Sequence, residues 1–563
     1  MSRFNLVFEK WIPVITSESG DTELVSIKEL FENANKFLAF ACDTKTQEFA
    51  ILRILLAINH TVFSRFDIDG KPFKYLQVDE NFKQVADVDE ESLEDYEYAL
   101  LDNWLKIWES GKFPKILFDY LDKWQDRFYL FDDKYPFMQV VEDDVSPDLL
   151  NGKLPTSISG KNINRLISES NNKVALFSPK NDFGANKEIL TEDEIARWLI
   201  TFQGYSGLAD KRAYGVDKYK ASKGWIYDLG GIYLEGENLF ESLMLNTVMV
   251  SEEEISYRQE PAWEYESKEL LDNYLISNDP RNLSQLYTTW SRAVYIPSDI
   301  NLDDPFSMFI VKLPDIYHVD RFLEPMTIWK KNESGEYKDK CTPKKHPVNQ
   351  AMWRSFGLIA IDGNYEKGRR IPGVISWYKE ISEGIDKAGI KINAISMKDD
   401  GNATSWVPAD EIYDYLNISD ILITDDKEGG WTVRIYRTVE ETKQAISKIY
   451  KEYLKNIKEI RNIQGDGFDN VKVEELYYLI DQPFRDWISS IEKDDDKDKK
   501  ILEWRKTLKK IITKEAEKIL ENGNARDFKG IVKNDKIMNI ATAYSYFIGR
   551  LNRLLVVMED AND

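Results

Sequence analysis

The sequence predicts an α+β protein, with a large mixed N-terminal domain over residues 1–405 and a C-terminal four-helix bundle over 406–563. Three observations carry this. A chain of 563 residues is too long for one hydrophobic core. Its N-terminal part interleaves short strand-like runs with capped helical segments. Its C-terminal part reads as one helix after another, with apolar positions recurring every three or four residues.

The opening is strand-like at Phe4-Asn5-Leu6-Val7, Trp11-Ile12-Pro13-Val14 and Glu23-Leu24-Val25-Ser26. Ser26 and Glu29 form a capping box for a helix beginning at Ile27. A second helix over 46–63 carries Phe49, Leu52, Arg53, Leu56 and His60 near helical spacing, and its apolar stretch Ile51 to Ile58 predicts burial. Residues 140–190, rich in Asn, Ser, Gly, Pro and Lys, read as long loops. Thr191 and Glu194 form another box, opening a helix to about Gln203. A Gly- and Lys-bearing loop follows, then mixed strands and loops to about 345. Helices are expected from Gln350 and over about 374–386.

Four helical segments then follow. The first starts at the box Thr438-Val439-Glu440-Glu441 and shows Ile446, Ile449, Tyr450, Tyr453 and Ile457. The second, over 472–492, shows Leu476, Leu479, Ile480, Trp487 and Ile491, with Pro483 as a kink or break. The third, after the acidic turn Asp494-Asp495-Asp496, shows Ile501, Trp504, Leu508, Ile511 and Ile519, with Gly523 at its C-terminal cap. The fourth, from about 536, shows Ile540, Tyr544, Phe547, Leu551 and Leu554. Short polar connections between such helices make a bundle.

Composition narrows the function. Hydrophobic residues at 42% and aromatics at 13% describe a packed globular protein. A net charge of −23 argues against independent nucleic-acid binding and leaves room for a local basic patch, or for partners that supply positive charge. Cys42 and Cys341 are the only cysteines, so neither a disulfide framework nor a zinc site is expected. The N-terminus lacks the apolar core of a signal peptide, and no apolar run is long enough to span a membrane; a cytoplasmic protein is expected. There is no P-loop, nucleophile elbow or zinc-protease helix. Of the histidines His60, His318 and His346, the first reads as a structural residue on an apolar helix and the last as an exposed loop residue. Nothing points to an enzyme or a cofactor.

Several segments together resemble the CasA-type large subunit of the type I-E CRISPR surveillance complex, Cascade. They are Asn5-Leu6 with Trp11-Ile12-Pro13-Val14, Ser26 to Leu30, Asp43 to Glu48 leading into Ala50-Ile51-Leu52-Arg53, and Phe128-Tyr129-Leu130-Phe131 followed by Tyr135-Pro136-Phe137-Met138-Gln139. The four-helix C-terminus is similar to that family's terminal bundle, so the resemblance covers essentially the whole chain. The resemblance implies a non-catalytic subunit that reads the protospacer-adjacent motif (PAM) on duplex DNA. It would also help open the target, hold the displaced strand and provide the landing site for a helicase–nuclease. Implied partners are the other Cascade subunits, guide RNA, target double-stranded DNA and the helicase–nuclease.

The resemblance also implies sites. A loop contacting the guide and a neighbouring subunit falls on Asn171, Asn172, Leu176 and Phe177. A groove-facing loop within 207–224 carries Lys218, Lys220, Lys223 and Gly224: glycine permits close approach, and cations suit the negative groove. A wedge hairpin falls on 396–404, with Asp400, Gly401, Asn402 and Thr404 at its tip, and Asp-Gly is also an ordinary hairpin turn. Lys330 and Lys331 are the candidates for a lysine finger. Rival expectations are the large subunit of another type I CRISPR subtype, a structural scaffold without DNA contact, and a hydrolase whose dispersed acids meet only in the fold.

Overall fold

The computed structural model describes residues 2–150, 152–160, 163, 188–207, 212–215, 223–251, 256–277, 279–316, 319–361, 369–387, 389–399, 401, 408–465, 467–533 and 535–556. The chain divides into two compact units. One holds Met1–Val348, Asp362–Asp386 and Ile392–Tyr415; the other holds Asn349–Ile361, Lys387–Lys391 and Leu416–Asp563.

In the first unit the elements run in order: β1 (Arg3–Asn5), β2 (Ile12–Ile15), β3 (Thr22–Val25), α1 (Ile27–Asn33), β4 (Ala39–Phe40), α2 (Lys45–Phe63), α3 (Leu93–Ser110), α4 (Lys115–Trp124), β5 (Tyr129–Phe131), β6 (Thr156–Ser159), α5 (Glu192–Tyr205), β7 (Gly231–Glu235), α6 (Leu239–Asn246), α7 (Ser267–Ile276), α8 (Leu283–Tyr287), β8 (Arg292–Tyr295), β9 (Ser307–Lys312), β10 (Trp329–Lys331) and β11 (Cys341–Pro343). The short α9 (Phe356–Ala360) belongs to the second unit; β12 (Arg369–Arg370) and α10 (Gly373–Ile381) return to the first. Two long strands follow, β13 (Gly389–Asp399) and β14 (Pro408–Ser419). The sheets are small, with strand orders β1-β5, β3-β2-β4, β6-β9-β8, β11-β10-β12 and β14-β13-β7.

Local chemistry accounts for the helix starts. The Ser26 hydroxyl accepts from the Glu29 amide, and the Glu29 carboxylate accepts from the Ser26 amide. At the start of α5 the Glu194 carboxylate accepts from the Thr191 amide at 2.9 Å, and the Thr191 hydroxyl donates to the Asp193 and Glu194 carboxylates. Helix α2 is buried on all sides from Thr46 to Phe63, so it forms the centre of its unit and each polar residue on it needs a partner. Asn59 finds Thr247 at 3.0 Å, Thr61 finds Ser284 at 2.9 Å and Arg53 finds Glu324 at 2.7 Å. His60 is buried on the same helix, and loss of hydration pulls its pKa down to about 3, so it is neutral, as expected of a core residue.

The signature segments are packing devices. Asn5 accepts from the Val7 amide and donates to the Gln125 carbonyl, and Trp11 donates to the Leu6 carbonyl. Phe128 stacks on Phe137 with centroids 5.3 Å apart, while the Gln139 amide donates to the Leu130 carbonyl at 2.7 Å.

The second unit contains α11 (Ile421–Thr424), α12 (Trp431–Gln444), a π-helical turn (Ala445–Tyr450), α13 (Lys451–Arg461), α14 (Gly467–Ser489), α15 (Lys497–Glu521), α16 (Ala525–Lys529), the hairpin β15 (Ile531–Lys533) and β16 (Lys536–Met538), and α17 (Ile540–Leu554). Four rods pack as a bundle, since α12 continues through the π turn into α13. The bundle's interior is aromatic: Trp487 stacks on Trp504 with centroids 5.4 Å apart, and Phe484 meets Trp504 edge-on at 4.9 Å. Each such side chain contributes about 1.5–3 kcal/mol by burial. The segment Asn349–Ile361 joins this unit because Trp353 stacks on Phe484 and donates to Asp481 at 2.8 Å.

Some expectations change. The first bundle helix begins at Trp431, and Thr438 lies inside it, its hydroxyl donating to the Arg434 carbonyl. Pro483 does not end α14, because Ile480 and Phe484 on either side are fully buried and hold the helix through the lost hydrogen bond. After Gln350 comes a 3-10 turn over Met352–Ser355 before the short α9. Asp496, in the acidic run, is the N-cap of α15.

Candidate nucleic-acid interface

Three stretches of the first unit meet around one open cleft of about 530 Å³. The end of the basic loop supplies Lys223, the 3-10 turn after it (Trp225–Asp228) supplies Asp228, β10 supplies Lys330 and Lys331, and the turn after β11 supplies Lys344 and Lys345. Asp315 and Glu333 complete the charged lining. The five lysines outnumber the three acids, so this surface is cationic within an acidic chain.

Strand pairing aligns these lysines. Trp329 lies opposite Pro343, Lys330 opposite Thr342 and Lys331 opposite Cys341. Lys330 and Lys344 are exposed, and neither has an ion-pair partner among the described residues. Lys331 sits 3.9 Å from Asp339, a loose surface pair. Those three are the cations most available to a ligand.

Lys223 and Lys345 are engaged differently. Lys223 pairs with Asp228, which also meets Lys345 at 3.5 Å. Lys345 reaches on to Asp399 at 3.4 Å and lies 4.2 Å over the Tyr227 ring. Burial lowers the Lys345 pKa, opposed by Asp228 and Asp399. Asp399 ends β13 and also accepts from the Gly401 amide at 2.9 Å. The relay Lys223–Asp228–Lys345–Asp399 thus ties the end of the basic loop to the root of the hairpin. The connection between β13 and β14 is too short for a parallel crossover, so these neighbouring strands are a hairpin.

Deeper contacts fix the same parts. Arg53 forks onto Glu324 through two hydrogen bonds of 2.9 and 2.7 Å. Glu324 also accepts from the Trp225 indole at 2.6 Å and the Met326 amide at 2.9 Å, and its carbonyl accepts from Trp329 at 3.2 Å. One carboxylate therefore positions the segment after the basic loop and the segment leading into β10. On β14, Glu411 accepts from the Thr46 amide at 3.0 Å, where the α2 N-terminus favours an anion.

The predicted site residues fare unevenly. Lys223, Lys330 and Lys331 come together in the cleft, with Lys223 neutralised by Asp228. Gly401 is exposed with φ +73°, a left-handed turn conformation that favours glycine. Gly224 needs a correction. It is buried, and a Cβ there would stand 2.0 Å from the Gly204 carbonyl oxygen, so its missing side chain serves backbone packing against the end of α5. His346 is likewise not an exposed loop residue. It is buried, its amide donates to Ser396, its ring nitrogen lies 2.9 Å from the Gly231 carbonyl, and burial lowers its pKa. Lys218, Lys220, Asp400, Asn402, Thr404, Asn171, Asn172, Leu176, Phe177 and His318 lie outside the described residues.

Sequence reasoning missed Lys344, Lys345 and Asp228. The lysine doublet before His346-Pro347 is the one local signal; Asp228 has none among 98 acids. Among the described residues no three His, Cys, Asp or Glu side chains converge as a metal site, and no helix is long and apolar enough to cross a membrane.

Comparison with known proteins agrees with this architecture. The solved structure of Thermobifida fusca Cse1 superposes with a TM-score of 0.74 at 20% identity, covering 99% of both chains. Cse1 from Acidimicrobium ferrooxidans gives 0.67 at 19% identity, covering 99% of this chain and 98% of the other. A chain of a CRISPR RNA-guided surveillance complex gives 0.64 at 14% identity, covering 98% of this chain and all of the other. CasA/Cse1 of Thermus thermophilus is 28% identical over 268 residues, a match that spans 47% of this chain and 42% of that relative. Residues 5–514 match the model of the CRISPR-associated protein Cse1 family, and the chain belongs to that family.

Proposed function

We propose that this chain is the large subunit of a type I-E RNA-guided surveillance complex and that its lysine cleft contacts the target duplex beside the guide-paired region. The observation that carries this reading is the meeting of Lys330, Lys331 and Lys344 in one cleft, next to a relay that ends at the root of the β13–β14 hairpin. Lysines supply the sequence-independent attraction to phosphates, and a hairpin held at its root presents its tip to a groove. In this reading the tip residues Asp400, Gly401, Asn402 and Thr404 act at the PAM. Asn171, Asn172, Leu176 and Phe177 face the guide end, and the assembled surface recruits the helicase–nuclease. The net charge of −23 fits a subunit whose partners neutralise most phosphates.

The test is target binding by the complex assembled with guide RNA, wild type against Lys330→Ala/Lys331→Ala/Lys344→Ala. The variant should assemble normally, bind PAM-bearing duplex at least about ten-fold more weakly, and lose up to about 3 from the slope of log affinity against log salt, at about 0.9 per phosphate contact. Normal assembly with unchanged affinity and slope would favour the rival reading, a scaffold without DNA contact.

A further inference from the structure

Lys344 and Lys345 are neighbours in sequence with different surroundings. Lys344 is exposed on the cleft, whereas the Lys345 side chain is only 26% exposed. Its ammonium lies 3.5 Å from Asp228, 3.4 Å from Asp399 and 4.2 Å over the Tyr227 ring. The two acids belong to different segments: Asp228 closes the 3-10 turn after the basic loop, and Asp399 is the last residue of β13. A lysine on a free surface swings through many rotamers. One that is shielded, stacked on a ring and shared by two carboxylates is held in place, and holds them.

The backbone that carries Lys345 is clamped as well. The Lys344 amide donates at 2.9 Å to the carbonyl of Ile328, the residue before β10. A Cβ on Gly230 would stand 2.0 Å from the Lys344 carbonyl oxygen, so the two backbones are in direct contact. On the other side the His346 amide donates to the Ser396 hydroxyl at 3.1 Å, and that hydroxyl donates to the Leu229 carbonyl at 2.9 Å. These bonds fix β13 at Ser396, and Lys345 fixes it again at its last residue.

We infer, on the reading of the cleft and hairpin as a DNA contact, that Lys345 is a positioning residue: it touches no DNA, and it aligns the β13–β14 tip with the duplex gripped by Lys330, Lys331 and Lys344. Opening of the duplex depends on it, and grip does not. Without the ammonium, Asp228 and Asp399 become two like charges facing each other, so the contact that draws the hairpin root to the loop end becomes a repulsion. A binding constellation needs its parts held to within about 0.5 Å, and a tip released at its root is no longer aimed at the gripped duplex.

The experiment uses the complex assembled with guide RNA and two PAM-bearing duplexes, one intact and one already melted at the first guide-paired positions. Lys345→Met should bind the intact duplex about ten-fold more weakly and the melted one nearly as wild type does, and adding Asn402→Ala/Thr404→Ala should cost little more, because both changes remove one interaction. Lys345→Arg keeps both ion pairs and should bind like wild type. Asp399→Asn keeps an acceptor for the Gly401 amide but loses the ion pair, and it should show the same split even if Lys345→Met does not assemble. Equal losses on both duplexes with a lowered melting temperature would mean a merely structural lysine and overturn the inference, as would unchanged affinity. A split for Asn402→Ala/Thr404→Ala without one for Lys345→Met or Asp399→Asn overturns the inference alone. No split for the tip variant removes the opening role of the hairpin and the inference with it.

Discussion

Arg53 on the central helix and Glu324, 271 residues later, form a two-bond ion pair that is almost wholly shielded from water. Glu324 adds the Trp225 indole and the Met326 amide, so one carboxylate braces two segments that frame the cleft. Removing one partner strands a buried charge. Glu324→Ala is expected to cost about 3–5 kcal/mol in urea unfolding, whereas Arg53→Met with Glu324→Leu should recover much of it. A single variant as stable as wild type would show that water reaches the pair.

The two glycines of the predicted DNA surface should respond differently to alanine. At Gly224 the new Cβ would meet backbone atoms of Gly204 and Tyr205, which cannot swing aside, so the melting temperature should drop by many degrees. At Gly401 there is open space and only the left-handed conformation is penalised, about 1 kcal/mol. Thermal melts of the two variants test this, and equal losses would contradict the packing role of Gly224.

Stability should also depend on Glu48. Burial raises its pKa from near 4.5 to about 7, with Lys45 opposing the shift. The folded state therefore binds more protons than the unfolded state between these values, and this group's contribution weakens as pH rises from 4.5 through 7. Glu48→Gln removes the titration. The variant should gain on wild type by up to about 3 kcal/mol at pH 8, at about 1.4 kcal/mol per pKa unit, and gain little at pH 4.5. Unfolding at both pH values checks the sign.

If the β13–β14 tip opens the duplex, its work offsets unstacking of a few kcal/mol per base step. Asn402→Ala with Thr404→Ala should then hurt binding of an intact duplex far more than one already melted beside the PAM, with folding unchanged. Equal losses on both targets would leave the tip a grip and no wedge.

Helix starts with their own caps, such as Ser26–Glu29 and Thr191–Glu194, were legible because both partners lie within one turn of chain. The buried character of α2 and the bundle's four rods were legible for the same reason, since apolar periodicity is local. Helices α3 and α4 were not, and neither Ser92 nor Pro114 offers a side-chain cap bond to mark their starts. The lysine candidates at 330 and 331 could be named from the sequence, but their meeting with Lys344 could not. That required β10 to pair with β11 in a particular register. The role of Gly224 likewise depended on how closely two backbones approach. Local pattern determines where helices begin and which faces are apolar. Which of 75 bases meets which of 98 acids, and which lysines are left uncompensated, is decided only when distant segments pack, because ion pairing carries no periodicity along the chain.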